Sequence, residues 1–241
     1  MVKPLLGNRL APITFTCAFL ENALDDTVKA YAGWHKKLGN RVRKSNVAGD
    51  LGDMLLRLAP LANPQDKYLF VETVSGWTAL FVNGAGGADV SSPGGYLCEL
   101  CNCRGIAVQC IPDRSLPGHP AGLQIYGAVI FRCFGPEPTG VSIVRNVERV
   151  VSAMNDGGTW RFVTEGPVQP YEELEAYARR RVVDRFTPDM LERYCQARGI
   201  DFFNPAFYGT RGTVFHHRYS RVPHLMTLEE AQSRLFLDPL A

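Results

Sequence analysis

The sequence has little net charge: 26 Lys and Arg stand against 24 Asp and Glu, leaving +2. That balance gives no strongly basic stripe of the kind a nucleic-acid-binding domain usually shows. It also lacks any uncharged apolar run of about 18 residues, the length a membrane-crossing helix needs. The N-terminus lacks the basic, apolar and small-residue succession of a secretory signal, so a cytoplasmic location is expected, with no membrane partner. Motifs that carry chemistry are scarce. There is no G-x-S-x-G elbow, Walker lysine, H-E-x-x-H, paired-acid motif or second C-x-x-C, and no cofactor or metal ion is expected. Disorder over most of the length is excluded by a composition 46% hydrophobic and 21% charged. The seven cysteines are an odd number with mostly apolar neighbours, which suits reduced thiols packed as small hydrophobes.

What is present is organised around Lys67 to Asn83, KYLFVETVSGWTALFVN. Apolar and β-branched residues fill both arms and Ser75-Gly76 breaks them, so the segment predicts a β-hairpin with a two-residue turn. Ahead of it, Ile13 to Leu20 reads as a short strand. A helix from Asp25 carries Val28, Tyr31, Ala32 and His35 inward and stops at Gly39-Asn40. Residues 41 to 50 read as a solvated loop, and Asp50 caps a short helix through Leu58. After the hairpin, a Gly-rich turn runs from Asn83 to Gly95, with Ser92 capping a helix that begins at Pro93. That helix holds Cys98 and Cys101 as C-x-x-C, followed by Cys103. Zinc would need further ligands such as Cys110 or His119, so buried packing is the better reading. Strands follow at Arg104 to Ile111 and Leu123 to Phe134, easiest to pair antiparallel.

Ile143 to Met154 fits either a helical stripe or a strand, and Asn155-Asp156-Gly157-Gly158 favours a second hairpin returning through Thr159 to Thr164. From Pro170 the pattern becomes helical. Glu172, Glu173 and Glu175 come early, Arg179, Arg180, Arg181 and Arg185 late, and Leu174, Tyr177, Ala178 and Val182 form the inward stripe. Thr187-Pro188 opens a further helix with Leu191, Tyr194 and Cys195 inward. Asp201 to Gly209 brings four aromatics as a cover for the core. Val214 to Tyr219 reads as an edge strand that sends His216 and His217 to opposite faces, and Thr227 to Glu230 has capping-box spacing.

These elements predict an α+β fold: a mostly antiparallel sheet of five to seven strands, helices of 171 to 198 on one face, and the Gly-rich loop at one edge. Residues 1–64 form an N-terminal helical segment packed on the core, and 65–241 the main domain. The strings Trp77-Thr78-Ala79-x-Phe81-x-Asn83-Gly84-x-x-Gly87-x-Asp89, Asn155-Asp156-Gly157-Gly158-x-Trp160-x-Phe162 and Asp184-Arg185-Phe186-Thr187-Pro188-x-Met190-Leu191 resemble a family of uncharacterised bacterial proteins over about residues 67 to 200. The resemblance implies a bacterial, cytoplasmic protein and transfers no activity. A non-enzymatic protein-binding module of the immunity or antitoxin kind is the leading expectation. The alternative is a small-molecule enzyme with its site at the loop Asn83 to Asp89. For either, the candidate binding residues are Trp77, Phe81, Asn83, Asp89, Asp156 and Trp160, with the loop carboxylate Asp113 a further candidate to meet Asp89 and Asp156 in space. A second alternative is weak nucleic-acid binding through Lys36 to Lys44 and Arg179 to Arg185.

Overall fold

A computed structural model of the chain describes residues 4–87, 89–115, 124–137, 146–218 and 223–237. His119, the loop at 116–123 and the start of the strand arm at 143–145 lie outside the described residues. The fold is α+β. Its strands are β1 (Thr16–Leu20), β2 (Val42–Ala48), β3 (Leu61–Asn63), β4 (Lys67–Thr73), β5 (Thr78–Val82), β6 (Gly105–Ile111), β7 (Arg114–Ser115), β8 (Gln124–Ile125), β9 (Ala128–Phe134), β10 (Val147–Asp156), β11 (Thr159–Glu165), β12 (Tyr208–His217) and β13 (His224–Met226). The helices are α1 (Leu24–Lys37), α2 (Leu51–Leu56), α3 (Ser91–Cys101), α4 (Leu174–Tyr177), α5 (Pro188–Gln196) and α6 (Leu228–Arg234).

Nine strands make one antiparallel sheet in the order β11-β10-β9-β6-β1-β5-β4-β12-β2, more than the five to seven expected. Part of the shortfall comes from Val42–Ala48. Its polar residues suggested a loop, yet it pairs with β12 as the outermost strand, where exposed Lys and Arg on an edge are ordinary. That pairing also corrects the reading of Val214 to Tyr219 as an edge, because β12 lies between β4 and β2. The N-terminal segment supplies β2 and also β1, which sits mid-sheet between β5 and β6.

Helices cover both faces instead of one. On β1 every residue is buried, and since successive side chains leave a strand on opposite sides, both sides must be roofed. Ala18 and Leu20 pack with Val28 and Tyr31 of α1 and Leu97 of α3. Cys17 and Phe19 pack with α2, α5 and the segment Asp201 to Gly209. In that segment Phe202 and Phe207 meet the Phe19 ring edge-on at 6.1 and 6.2 Å, so it covers the core as expected. The approach of α3 depends on Gly105, where a Cβ would stand 2.3 Å from Cys98 Sγ and 3.0 Å from the Phe19 carbonyl.

Both expected hairpins form, the first with a longer turn than expected. In the first, the Thr73 amide bonds the Trp77 carbonyl at 3.0 Å, so the loop has the three residues Val74-Ser75-Gly76 instead of two, with Gly76 at φ +82°. In the second, Asp156 pairs with Thr159 across Gly157-Gly158. The Gly-rich loop departs from β5, an interior strand, and not from an edge. α3 begins at Ser91, two residues before Pro93, and the Asp89 carboxylate accepts the Ser91 amide at 2.8 Å. The long helix expected from Pro170 is broken into α4 and a 3-10 turn, Val182–Asp184. Leu174 is 49% exposed, so the expected inward stripe does not form.

Candidate functional site

The six residues singled out from sequence do not converge. Phe81 is sealed in the core with its ring 5.8 Å from that of Tyr208. Trp77 is buried at one end of β5 and Asn83 just past the other. Asn83 is fully occupied: its Oδ1 accepts the amides of Asp66 and Lys67 at 3.0 and 2.9 Å, and its Nδ2 donates to the Pro60 carbonyl and the Asp66 carboxylate at 3.0 and 2.8 Å. That pattern ties the start of β4 to the end of β5 and leaves nothing for a ligand. Asp156 ends β10, four strand positions from β5, and Trp160 is on β11, five positions away, roughly 19 and 24 Å at ordinary strand spacing.

The loop carboxylates likewise have separate partners. Asp89 lies 4.0 Å from Arg132, Asp113 accepts from Asn155 Nδ2 at 3.1 Å, and Asp156 pairs with Arg161 at 3.3 Å. The basic clusters are also apart. Lys36 to Lys44 ends on the β2 edge, whereas the turn within Arg179 to Arg185 packs against β10 and β11 at the other edge. There Arg181 pairs with Asp184 at 3.6 Å, and Arg179 and Arg185 donate to backbone carbonyls.

The thiols behave as packing groups. Burial pushes Cys110 and Cys133 up to about 12, and Cys17 and Cys195 well above the ordinary thiol range. Cys101 is raised by a hydrogen bond with Cys103 and by burial. These five therefore hold their protons at neutral pH, the opposite of what thiolate chemistry needs. Among the described residues no group of three or more His, Cys, Asp and Glu is placed to hold a metal ion.

The arrangement with binding character lies between α1 and α3. A groove of about 610 Å³ runs between them, lined by Trp34 and Leu38 from the α1 side and by Tyr96 and Leu100 from α3, with Asp26 and Lys37 at its margins. Leu38, Tyr96 and Leu100 are 59%, 38% and 40% exposed. The Trp34 and Tyr96 rings meet at 4.6 Å, and the Trp34 ring also lies 4.5 Å from that of His35. Gly33 also lines the groove, and a Cβ there would meet nothing within 4 Å. The sequence did hold a signal for it. Trp34 and Leu38 stand four apart beside the inward stripe Val28, Tyr31 and His35, and Tyr96 and Leu100 stand four apart beside buried Leu97 and Cys98. Each helix thus carries a second apolar line beside the one it packs on the sheet, with Trp34 touching both core and groove. None of the described helices is long and apolar enough to cross a membrane. Comparisons with protein-family models, with curated proteins and with solved structures give no match.

Proposed function

We propose that the chain is a non-enzymatic protein-binding module of the immunity or antitoxin kind, working in the bacterial cytoplasm, and that it grips its partner in the α1–α3 groove. The observation that carries this reading is the apolar groove between α1 and α3, where Leu38, Tyr96 and Leu100 are exposed and the half-buried Trp34 meets Tyr96. Aromatic and aliphatic anchors in a concave patch with charged margins are what protein interfaces concentrate. An amphipathic segment presenting apolar side chains at helical spacing fits such a groove. A catalytic site at Asn83 to Asp89 has less support, because Asn83 is spent on the backbone and Asp89 sits on the Ser91 amide.

The test is isolation of the native complex from the source cell with wild-type chain and with Tyr96→Ala and Leu100→Asp, each checked for folding by circular dichroism. A stoichiometric protein partner that is lost with both variants is the expected outcome. A chain that stays monomeric and unaccompanied at its physiological concentration counts against the proposal, as does a partner retained equally by both variants.

A further inference from the structure

On the other face of the sheet, three adjacent strands set a row of basic side chains side by side. Arg43 of β2 stands directly opposite His216 of β12, and His216 directly opposite Lys67 of β4. Residues in direct register share a face, and here it is the face on which Leu69 and Val214 meet the core under α2. Their spacing is about 5 Å from strand to strand. Arg57, which ends α2, joins them, and the four line a cavity of about 420 Å³ together with Ser45 and Asn46. That volume lies within the range of small-molecule sites.

Among the described residues three of the four basic groups have no ion-pair partner: neither Arg43, Arg57 nor Lys67 has a carboxylate within 4.0 Å. Asp66 is taken up by Asn83 Nδ2 at 2.8 Å and by His216 Nε2 at 3.2 Å, which fixes the imidazole in the row. Lys67 donates to the Ala59 carbonyl, and burial pulls its pKa down against the attraction of Asp66. A half-buried ammonium such as that of Lys67 carries a desolvation cost. Protection of a sheet edge accounts for Arg43 on the outermost strand. It does not account for Lys67, two strands in.

We propose that this cavity binds the phosphate group of a small phosphorylated molecule, with Arg43 and Arg57 as forked donors and Lys67 as a point charge beside His216. A phosphate carries a charge of about −1.5 to −2 and three acceptor oxygens, which suits three clustered cations better than a single carboxylate does. The planar guanidinium fork matches its geometry. The site lies across the sheet from the α1–α3 groove and does not depend on the partner proposed for it.

Calorimetric titration of the full chain with inorganic phosphate and with ADP tests the site, using Arg43→Gln, Arg57→Gln and Lys67→Met, and Arg161→Gln at the far edge as control. Arg43 and Arg57 are exposed, so their variants keep the fold even where Lys67→Met does not. Saturable binding is expected, weakened about tenfold or more by each cavity variant, unchanged in the control and not displaced by acetate. No saturable binding of either probe up to about 10 mM overturns the proposal. So do equal losses in the control, displacement by acetate, or tighter binding of a single-stranded oligonucleotide than of ADP.

Discussion

Arg149 and Glu172 face each other as a two-pronged ion pair, with side chains only 3% and 1% exposed. Arg149 Nε and an Nη donate to the two carboxylate oxygens at 2.8 and 2.5 Å, and the other Nη donates to the carbonyls of Glu165 and Gly166 at 3.1 and 2.7 Å. Glu172 also accepts the Gln169 amide and the Tyr177 hydroxyl, each at 2.9 Å. The pair pins the segment after β11 to the irregular start of β10, where register shifts between Val147 and Arg149. Removing one partner strands the other charge in the interior. Glu172→Ala is expected to cost about 3–5 kcal/mol in urea unfolding, and Arg149→Met with Glu172→Leu together less than the sum of the single changes. Equal stability of Glu172→Ala and wild type would sink this account of the pair.

Asn83, Trp77 and Asp89 separate scaffold from surface. Asn83→Ala leaves the Asp66 and Lys67 amides and the Pro60 carbonyl without their partner, so a loss of about 2–3 kcal/mol or more is expected. Trp77→Ala empties a core position and should cost about 3–5 kcal/mol. Asp89→Ala removes one exposed acceptor from the start of α3 and should stay within about 1 kcal/mol. Chemical denaturation of the three variants side by side checks the order. Asp89→Ala as costly as Asn83→Ala would show that the loop is built differently.

The strands and caps that follow local rules could be read from the chain. The arms of both hairpins, the Thr187 cap of α5 and the capping box at Thr227 depend on spacing alone, and all are present. What could not be read depends on contacts distant in sequence. Val42–Ala48 has the composition of a loop and becomes a strand because β12, some 170 residues later, offers it an edge. Glu172 looked like a dipole-complementing surface acid. Its burial is decided by Arg149, whose own position gives no hint that it faces inward. Arg43 belongs to the basic cluster Lys36 to Lys44, but nothing in the sequence joins it to Lys67 and His216 until register aligns them. Trp77 and Asp156 drew notice as rare or loop-borne residues, which says nothing about their separation across a sheet.

Gly166 tests the same corner of the fold by shape instead of charge. Its φ is +79°, and a Cβ there would stand 1.9 Å from the Glu148 carbonyl oxygen, a backbone atom that cannot step aside. Gly166→Ala therefore combines a left-handed backbone penalty with a clash, and it displaces the carbonyl that Arg149 uses. A loss larger than the ~1 kcal/mol of a left-handed alanine alone is expected. Gly157→Ala, at φ +62° with nothing within 4 Å, is the control and should show only the smaller cost. The difference in thermal midpoint between the two variants measures the clash. Equal midpoints would mean that the β10–β11 corner yields.

His217 makes the docking of α1 sensitive to acid. It is 3% exposed, its Nε2 lies 2.7 Å from the Tyr31 hydroxyl, and its ring meets His35 at 4.3 Å and Tyr68 at 5.0 Å. Burial first, and then the neighbouring His35, lowers its pKa to about 4, with Asp66 opposing and His216 reinforcing the shift. Burial lowers His35 as well. In the unfolded chain a histidine takes its proton near pH 6.5, so between that value and about 4 the unfolded state binds more protons than the folded one. Stability is thus undiminished above pH 6.5 and falls as the pH drops, by about 1.4 kcal/mol per unit for each such group, until the folded state also protonates. His217→Gln keeps a hydrogen-bond partner for Tyr31 without a titrating ring. Urea midpoints from pH 7 down to 4 should fall less steeply for that variant than for wild type. Parallel curves would show that His217 is protonated in the fold as readily as in the unfolded chain.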